Sequence, residues 1–382
     1  MNSRANRSTY SSWWWTIDRV ALILMLALIA IGLMLAFAAS PAATGGPLTA
    51  GDFRYTAKQI LFAFIAAGIL GGASILSLRQ LKIAAAVTFA VALIGSALVL
   101  VAGTEVLGAK RSIEFGLFSL QPSEFLKPGF AVLGAAIIAD RHAMALPKPV
   151  ITFLLIVPAI AILLMQPDVG QSTLLLALWS ALLFFSGASM IWMALLGGGT
   201  AGVGVAAYVL FPHVHHRIDQ FLNPSTTGYQ TGLALKAFAH GGLTGVGPGA
   251  GTIKYRIPEA HSDFIFAVAG EEFGLILCAL IAILFCWLTV RLLLRAASQR
   301  DRFSQLAGAG LAIVTALQAF INMGVAVSLL PAKGMTLPFI SYGGSSLFAV
   351  ALTMGFALAV TRQRPQLAAQ DSSLLELWGA RA

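Results

Sequence analysis

Apolar residues run through this chain in long, nearly unbroken stretches, without the alternation of a half-buried strand or the narrow stripe of a surface helix. Crossing a hydrocarbon layer of about 30 Å takes roughly 20 helical residues. Stretches of that order recur near 17–39, 57–76, 82–102, 122–139, 149–166, 171–187, 189–211, 262–293, 305–328 and 342–361. The pattern predicts an all-α, polytopic membrane protein with about ten transmembrane helices. They would occupy 17–361, flanked by a tail over 1–16 and a second over 362–382.

Composition supports this reading. Of 382 residues, 58% are hydrophobic and only 10% are charged, where a soluble domain carries about 25% charged residues. The chain has too few polar groups to coat a water-facing surface. The 24 Lys and Arg residues outnumber 15 Asp and Glu, but they are scattered between apolar spans, which suits membrane topology better than nucleic-acid binding. Cys278 and Cys286 share one apolar stretch and offer neither a disulfide framework nor metal-ligand spacing. No phosphate-binding G-x-x-x-x-G-K-[ST] loop occurs, so energy must come from the substrate or from an ion gradient.

Arg4, Arg7 and Arg19 lead into the first span and Ala38-Ala39-Ser40 close it, in the manner of a signal peptide. Its apolar core exceeds the roughly 7–15 residues of such a leader, which predicts an uncleaved first helix. Trp13, Trp14 and Trp15 stand where an interfacial aromatic anchor belongs. With the N-terminus inside, alternate loops place 14 Lys and Arg on the cytoplasmic side and 10 on the other, so both termini are expected in the cytoplasm. The longest break, about 211–261, then becomes an external loop between helices 7 and 8. Loops of this length are usually functional. Within it, Tyr229 to His240 reads as a short surface helix, with Leu233, Leu235, Ala237 and Phe238 as its apolar residues, and Gly241, Gly242, Gly245, Gly247, Gly249 and Gly251 follow.

Ionisable residues in or beside apolar spans are expensive and mark candidate sites. Glu124 and Lys127 lie three apart on one helix face. They suit either a self-neutralising brace or, through Lys127, a cation for an anionic ligand. Asp168 opens a helix and is suited to capping it or bracing a neighbouring loop. In Pro258-Glu259-Ala260-His261-Ser262-Asp263-Phe264-Ile265-Phe266, Ser262 and Asp263 both qualify as helix N-caps. A carboxylate bordered by aromatics also suits a general base, with His261 and Glu259 near enough to tune it. Glu271 and Glu272 follow two turns on; one is expected to pair with a cation inside the bundle. The segment Lys333 to Ser346 is small and polar for a helix boundary. It reads as close helix packing or as a loop dipping back into the bundle.

Five ordered blocks, Gln121 to Lys127, Gln166 to Gly170, Gly228-Tyr229-Gln230, Pro258 to Phe266, and Lys333 to Ser346, together resemble the SEDS family (shape, elongation, division and sporulation). Glu259 to Asp263, Lys333 to Pro338 and Trp13 to Arg19 are similar to its division-type members, the last in its alphaproteobacterial form. The resemblance implies a ten-helix peptidoglycan glycosyltransferase of the bacterial inner membrane, acting at the division septum. Its substrate would be lipid II, with undecaprenyl pyrophosphate as the leaving group. Asp263 matches the family's essential aspartate, Glu124 and Lys127 its buried ion pair, and Asp168 a carboxylate facing the same cavity.

Arg111, Lys127 or Lys254 would then stabilise the pyrophosphate, with His261, Ser262 and Lys333 around the site. The resemblance implies a class B penicillin-binding protein and other divisome membrane proteins as partners. No cofactor is assigned, and a divalent cation at the pyrophosphate is compatible with the chemistry without a ligand set to hold it. One departure stands out: Lys110 and Ser112 replace the arginine and tryptophan of the family's Gly-Ala-Arg-Arg-Trp-Ile, and Glu114 follows. Two other functions would suit the same charges, a flippase for lipid-linked precursors and a non-catalytic divisome scaffold.

Overall fold

The computed structural model describes residues 9–44, 54–106, 109–116, 118–142, 144–210, 215, 219, 229–331 and 334–363. After a short helix α1 (Thr9–Thr16) come α2 (Arg19–Thr44), α3 (Arg54–Ile75) and α4 (Leu78–Ala102). Three short strands follow, β1 (Thr104–Val106), β2 (Ala109–Phe115) and β3 (Phe118–Leu120), then α5 (Ser123–Ala139), α6 (Lys148–Met165), α7 (Val169–Phe185) and α8 (Met190–Leu210). Beyond these lie α9 (Tyr229–Gly241), α10 (Ile265–Ala297), α11 (Arg302–Ala326) and α12 (Gly344–Thr361). Every apolar span read from the sequence falls on one of these helices. Among the described residues seven, α2, α3, α4, α6, α10, α11 and α12, are long and apolar enough to cross a membrane. The antiparallel sheet, in the order β1-β2-β3, departs from an all-α chain. Strands this short give no periodic signal in the sequence.

Burial separates the centre from the lipid face. Of the apolar stretch, 89% is buried in α12 and 67% in α11, against 28% in α4 and 22% in α6. The central α12 packs on α3 and α11, while α5 bridges α4 and α11. Small residues permit this approach: a Cβ on Gly355 of α12 would lie 2.6 Å from the Ala73 Cβ of α3. Local signals set several helix starts. Ser77 and Gln80 form a reciprocal capping box on α4, and Asp301 accepts the N–H groups of Phe303 and Ser304 on α11.

One end of the bundle is tied by Asp18, buried and held by Arg291 at 2.8 Å and Arg295 at 2.6 Å. There, Trp13 donates to Ser74 at 2.8 Å, and the Arg19 guanidinium lies over the rings of Trp14 and Trp15. The candidate site residues gather at the opposite end.

Helix α10 is broken. Gly274 adopts φ 77° and ψ −178°, and the preceding loop enters the gap. Leu275 and Ile276 donate to the carbonyls of Gly242 and Leu243, while Val246 and Gly247 donate to those of Glu271 and Glu272. The glycine-rich run is thereby a backbone partner of α10. Helix α9 forms where the surface helix was expected, but its buried face is Thr231, Ala234, Ala237 and Gly241, packed on α10. Residues 1–8, nearly all of 211–228 and the tail beyond 363 lie outside the described residues, as does Lys333.

Candidate active site

Asp263 sits in the turns that lead into α10, half-buried, with its N–H donating to the Glu259 carbonyl at 3.0 Å. The N-cap of α10 is Phe264, which makes no side-chain cap bond, so the helix start takes neither Ser262 nor Asp263 as its N-cap. Ser262 donates instead to the Glu259 carboxylate at 2.7 Å. Phe264 and Phe266 are buried in the core.

Across from Asp263 runs the segment before α12. It is non-helical yet inserted in the protein: Met335, Leu337, Phe339, Ile340 and Ser341 are all buried. Such backbone is tolerated at membrane depth only where protein surrounds it. Two bonds stitch it to the Asp263 turn, Tyr342 N–H to the His261 carbonyl at 2.9 Å and the Ser341 hydroxyl to the Ser262 carbonyl. The rings of His261, Tyr342 and Tyr55 of α3 form a triangle with centroids 5.1–5.4 Å apart. Burial pulls the His261 imidazole below its usual pKa, while Glu259, 3.9 Å away, pulls the other way.

The Glu124–Lys127 pair closes at 2.6 Å, both side chains almost fully buried on α5. Neutral amides complete it. Gln171 of α7 donates to Glu124 at 2.5 Å, and Gln318 of α11 accepts from Lys127 at 2.7 Å. Gln318 turns its other end to Thr336, donating to its carbonyl and hydroxyl at 3.2 Å each. Asp168 caps α7 by accepting from Gln171 N–H at 3.1 Å and braces the neighbouring segment through Gln121 at 3.4 Å. Burial pushes the Asp168 carboxyl up, opposed by the charge of Arg111. Arg111 lies on β2 and donates to the Pro167 carbonyl at 2.9 Å, leaving its buried Nε without a partner among the described residues.

Asp168, Glu124 and Lys127 thus form one polar network through Gln171, with Arg111 beside it on the Pro167 carbonyl. Through Gln318 and Thr336 it reaches the segment beside Asp263, His261 and Ser262. Lys254 stands apart: it is fully buried, ion-paired with Glu272, and donates to the Ala38 carbonyl at 2.7 Å. Its charge is consumed in holding the loop to α2 and α10, which makes it a brace where an anion-binding cation was expected. Glu272 is thus the cation-paired member of the two, while Glu271 accepts the N–H groups of Thr252, Ile253 and Lys254 at 2.8–2.9 Å and bonds His240 at 3.0 Å.

Sequence reasoning missed Gln171, Gln318 and Asn322. A signal existed for the last two: amides four apart fall on one face of a helix inside an otherwise apolar span, where each demands a partner. Among the described residues no three His, Cys, Asp or Glu side chains converge to hold a metal.

Known proteins resemble this chain over most of its length. The chain is 40% identical over 370 residues to the probable peptidoglycan glycosyltransferase FtsW of Caulobacter vibrioides, covering 95% of this chain and 94% of that one. It is 35% identical over 355 residues to the probable peptidoglycan glycosyltransferase FtsW of Thioalkalivibrio sulfidiphilus, covering 89% and 88%. Its fold matches a chain of a peptidoglycan synthase complex, solved for the structural coordination of polymerization and crosslinking, with TM-score 0.74 and 27% identity over 90% of this chain and 97% of that one. It also matches the rod shape determining protein RodA of Thermus thermophilus, with TM-score 0.66 and 28% identity over 91% and 97%. Residues 18–366 match the family described as cell cycle protein, which joins FtsW, RodA and SpoVE. With nearly the whole length matched, the chain is a multi-pass membrane protein and belongs to the FtsW/RodA/SpoVE family.

Proposed function

We propose that this chain is a peptidoglycan glycosyltransferase that polymerises lipid II, with Asp263 as general base. All ten apolar spans would cross the inner membrane at the division septum, both termini lying in the cytoplasm and the Asp263 end facing outward. Asp263 takes the proton of the acceptor's sugar 4-hydroxyl. That oxygen forms a bond to the anomeric carbon of the donor, whose bond to the pyrophosphate oxygen breaks, and undecaprenyl pyrophosphate leaves with the electron pair. Arg111, whose charge acts on Asp168 and whose Nε has no partner among the described residues, is the cation best suited to the departing pyrophosphate. A class B penicillin-binding protein is the fitting partner, in keeping with the match to a synthase complex.

The observation that carries this reading is the placement of Asp263 beside Gly334, where a Cβ would come within 2.7 Å of its Oδ2. An acidic side chain at the mouth of a buried polar network suits base catalysis on a lipid-borne sugar. Purified full-length chain with its cognate penicillin-binding partner should form glycan strands from lipid II, and Asp263→Asn should abolish them, a drop of at least about 100-fold, while still folding and binding the partner. Strands from the mutant, or from the partner alone at the same rate, would overturn the reading. A Ser112→Trp chain assayed alongside tests the β2 departure: strands only from that variant would mark the native chain as a scaffold. Lipid movement without strands would favour a flippase, for which broken helices such as α10 are also suited.

A further inference from the structure

The proposed base needs a fixed main chain, and a side chain on α11 adds its own tie to the bonds that Ser341 and Tyr342 make. Asn322 is 1% exposed. Its Nδ2 donates to the Asp263 carbonyl at 2.8 Å and to the Met335 carbonyl at 2.6 Å. Both donors are therefore spent bridging the two non-helical segments that face each other across the site. Gly334 precedes Met335, and its Cα side lies so close to the Asp263 carboxylate that a Cβ would reach 2.7 Å from Oδ2. The spacing that Asn322 sets between the two carbonyls thus also sets the room around the carboxylate. One turn earlier on the same face, Gln318 ties Lys127 to Thr336, so α11 holds the Met335–Thr336 segment from two adjacent turns.

We infer that Asn322 is a positioning residue for Asp263, holding the turn that bears the carboxylate at a fixed distance from the Gly334–Met335 segment. This rests on the reading of Asp263 as the general base. A residue that fixes geometry in this way governs the rate of the chemical step more than substrate affinity, and a misplacement of about 1 Å costs on the order of 100-fold.

The test compares Asn322→Leu, which keeps the volume but removes both donors, with Asn322→Ser, which keeps one. Polymerisation by the full chain with its penicillin-binding partner is normalised to folded protein. For Asn322→Leu, kcat should fall by about 100-fold with KM within about threefold, and Asn322→Ser should recover part of the loss. Hydrogen exchange, which needs no activity, should rise in Asn322→Leu for the peptides around Asp263 and around Met335 and not for α4 or α6. Native kcat in Asn322→Leu, a loss confined to KM, or unchanged exchange at both segments overturns the inference. Should the native chain form no strands, the glycosyltransferase reading fails by itself, and exchange alone decides whether Asn322 ties the two segments.

Discussion

Two lysine–glutamate pairs lie buried in this bundle, and nothing in their own chemistry tells them apart. Glu124–Lys127 and Glu272–Lys254 are both almost fully excluded from solvent. Their neighbours differ. The first is completed by the neutral side chains of Gln171 and Gln318; Gln318 passes hydrogen bonds on to Thr336, and the Gln171 backbone N–H donates to Asp168. The second is completed by backbone, the Ala38 carbonyl and the Gly249 N–H. A pair finished by side chains links movable groups and can belong to a site. A pair finished by main chain fastens one segment to another. In both, the attraction offsets a desolvation cost of several kcal/mol per ion, so the value of each lies in what it arranges.

The largest effect should come from breaking either pair. Lys127→Met and Lys254→Met each leave a buried carboxylate alone and should each lower stability by about 3–5 kcal/mol, read as unfolding in detergent. Turnover per folded molecule should separate them: Lys127→Met loses a further factor of about ten or more, while Lys254→Met keeps the native value once folded protein is counted. Equal turnover in the two would erase the distinction. A companion double change, Lys254→Met with Glu272→Leu, should recover most of the lost stability, because no charge is then stranded.

A smaller effect sharpens the structural side. Gly274→Ala places a Cβ 2.2 Å from the Leu243 carbonyl oxygen at a φ of 77°. It should destabilise by about 1–3 kcal/mol and expose the 241–251 segment to protease before the rest of the chain. Resistance equal to the native protein would mean that loop and helix are independent.

The smallest concerns pH. The His261 imidazole is held below its ordinary 6.5 by burial, so the unfolded chain binds a proton that the folded chain resists. Stability present above pH 6.5 is therefore lost as pH falls from that value towards the folded pKa. The apparent Tm should decline over that window, and His261→Gln should flatten the decline. An unchanged slope would show that His261 does not carry it.

Much of this was legible in the sequence because hydrophobic length is a one-dimensional signal. All ten apolar stretches became helices, with boundaries shifted by a few residues, and Asp168 took the capping role its position suggested. Pairing across distance was not legible. Glu124 and Lys127, three residues apart, could be read as a pair from the sequence, whereas only the fold shows that Gln318 completes it and that Glu272 claims Lys254. Ser262 and Asp263 have the residue types of an N-cap, yet the cap position of α10 falls on Phe264, and the turn before it is tied to the Ser341–Tyr342 segment some 80 residues away. The β1–β3 sheet left no trace since each outer strand has three residues.

The broken α10 bears on how the molecule is made. A continuous helix satisfies its own backbone and can enter the bilayer by itself, whereas the N–H groups of Leu275 and Ile276 in α10 donate to the carbonyls of Gly242 and Leu243. Those acceptors are synthesised earlier and must wait, folded back, for the helix to arrive. The turn bearing Asp263 likewise takes bonds from later residues, Asn322 of α11 and Ser341, so its frame is complete only once they are in place. A nascent chain stopped before α11 would hold the carboxylate without the frame that aims it.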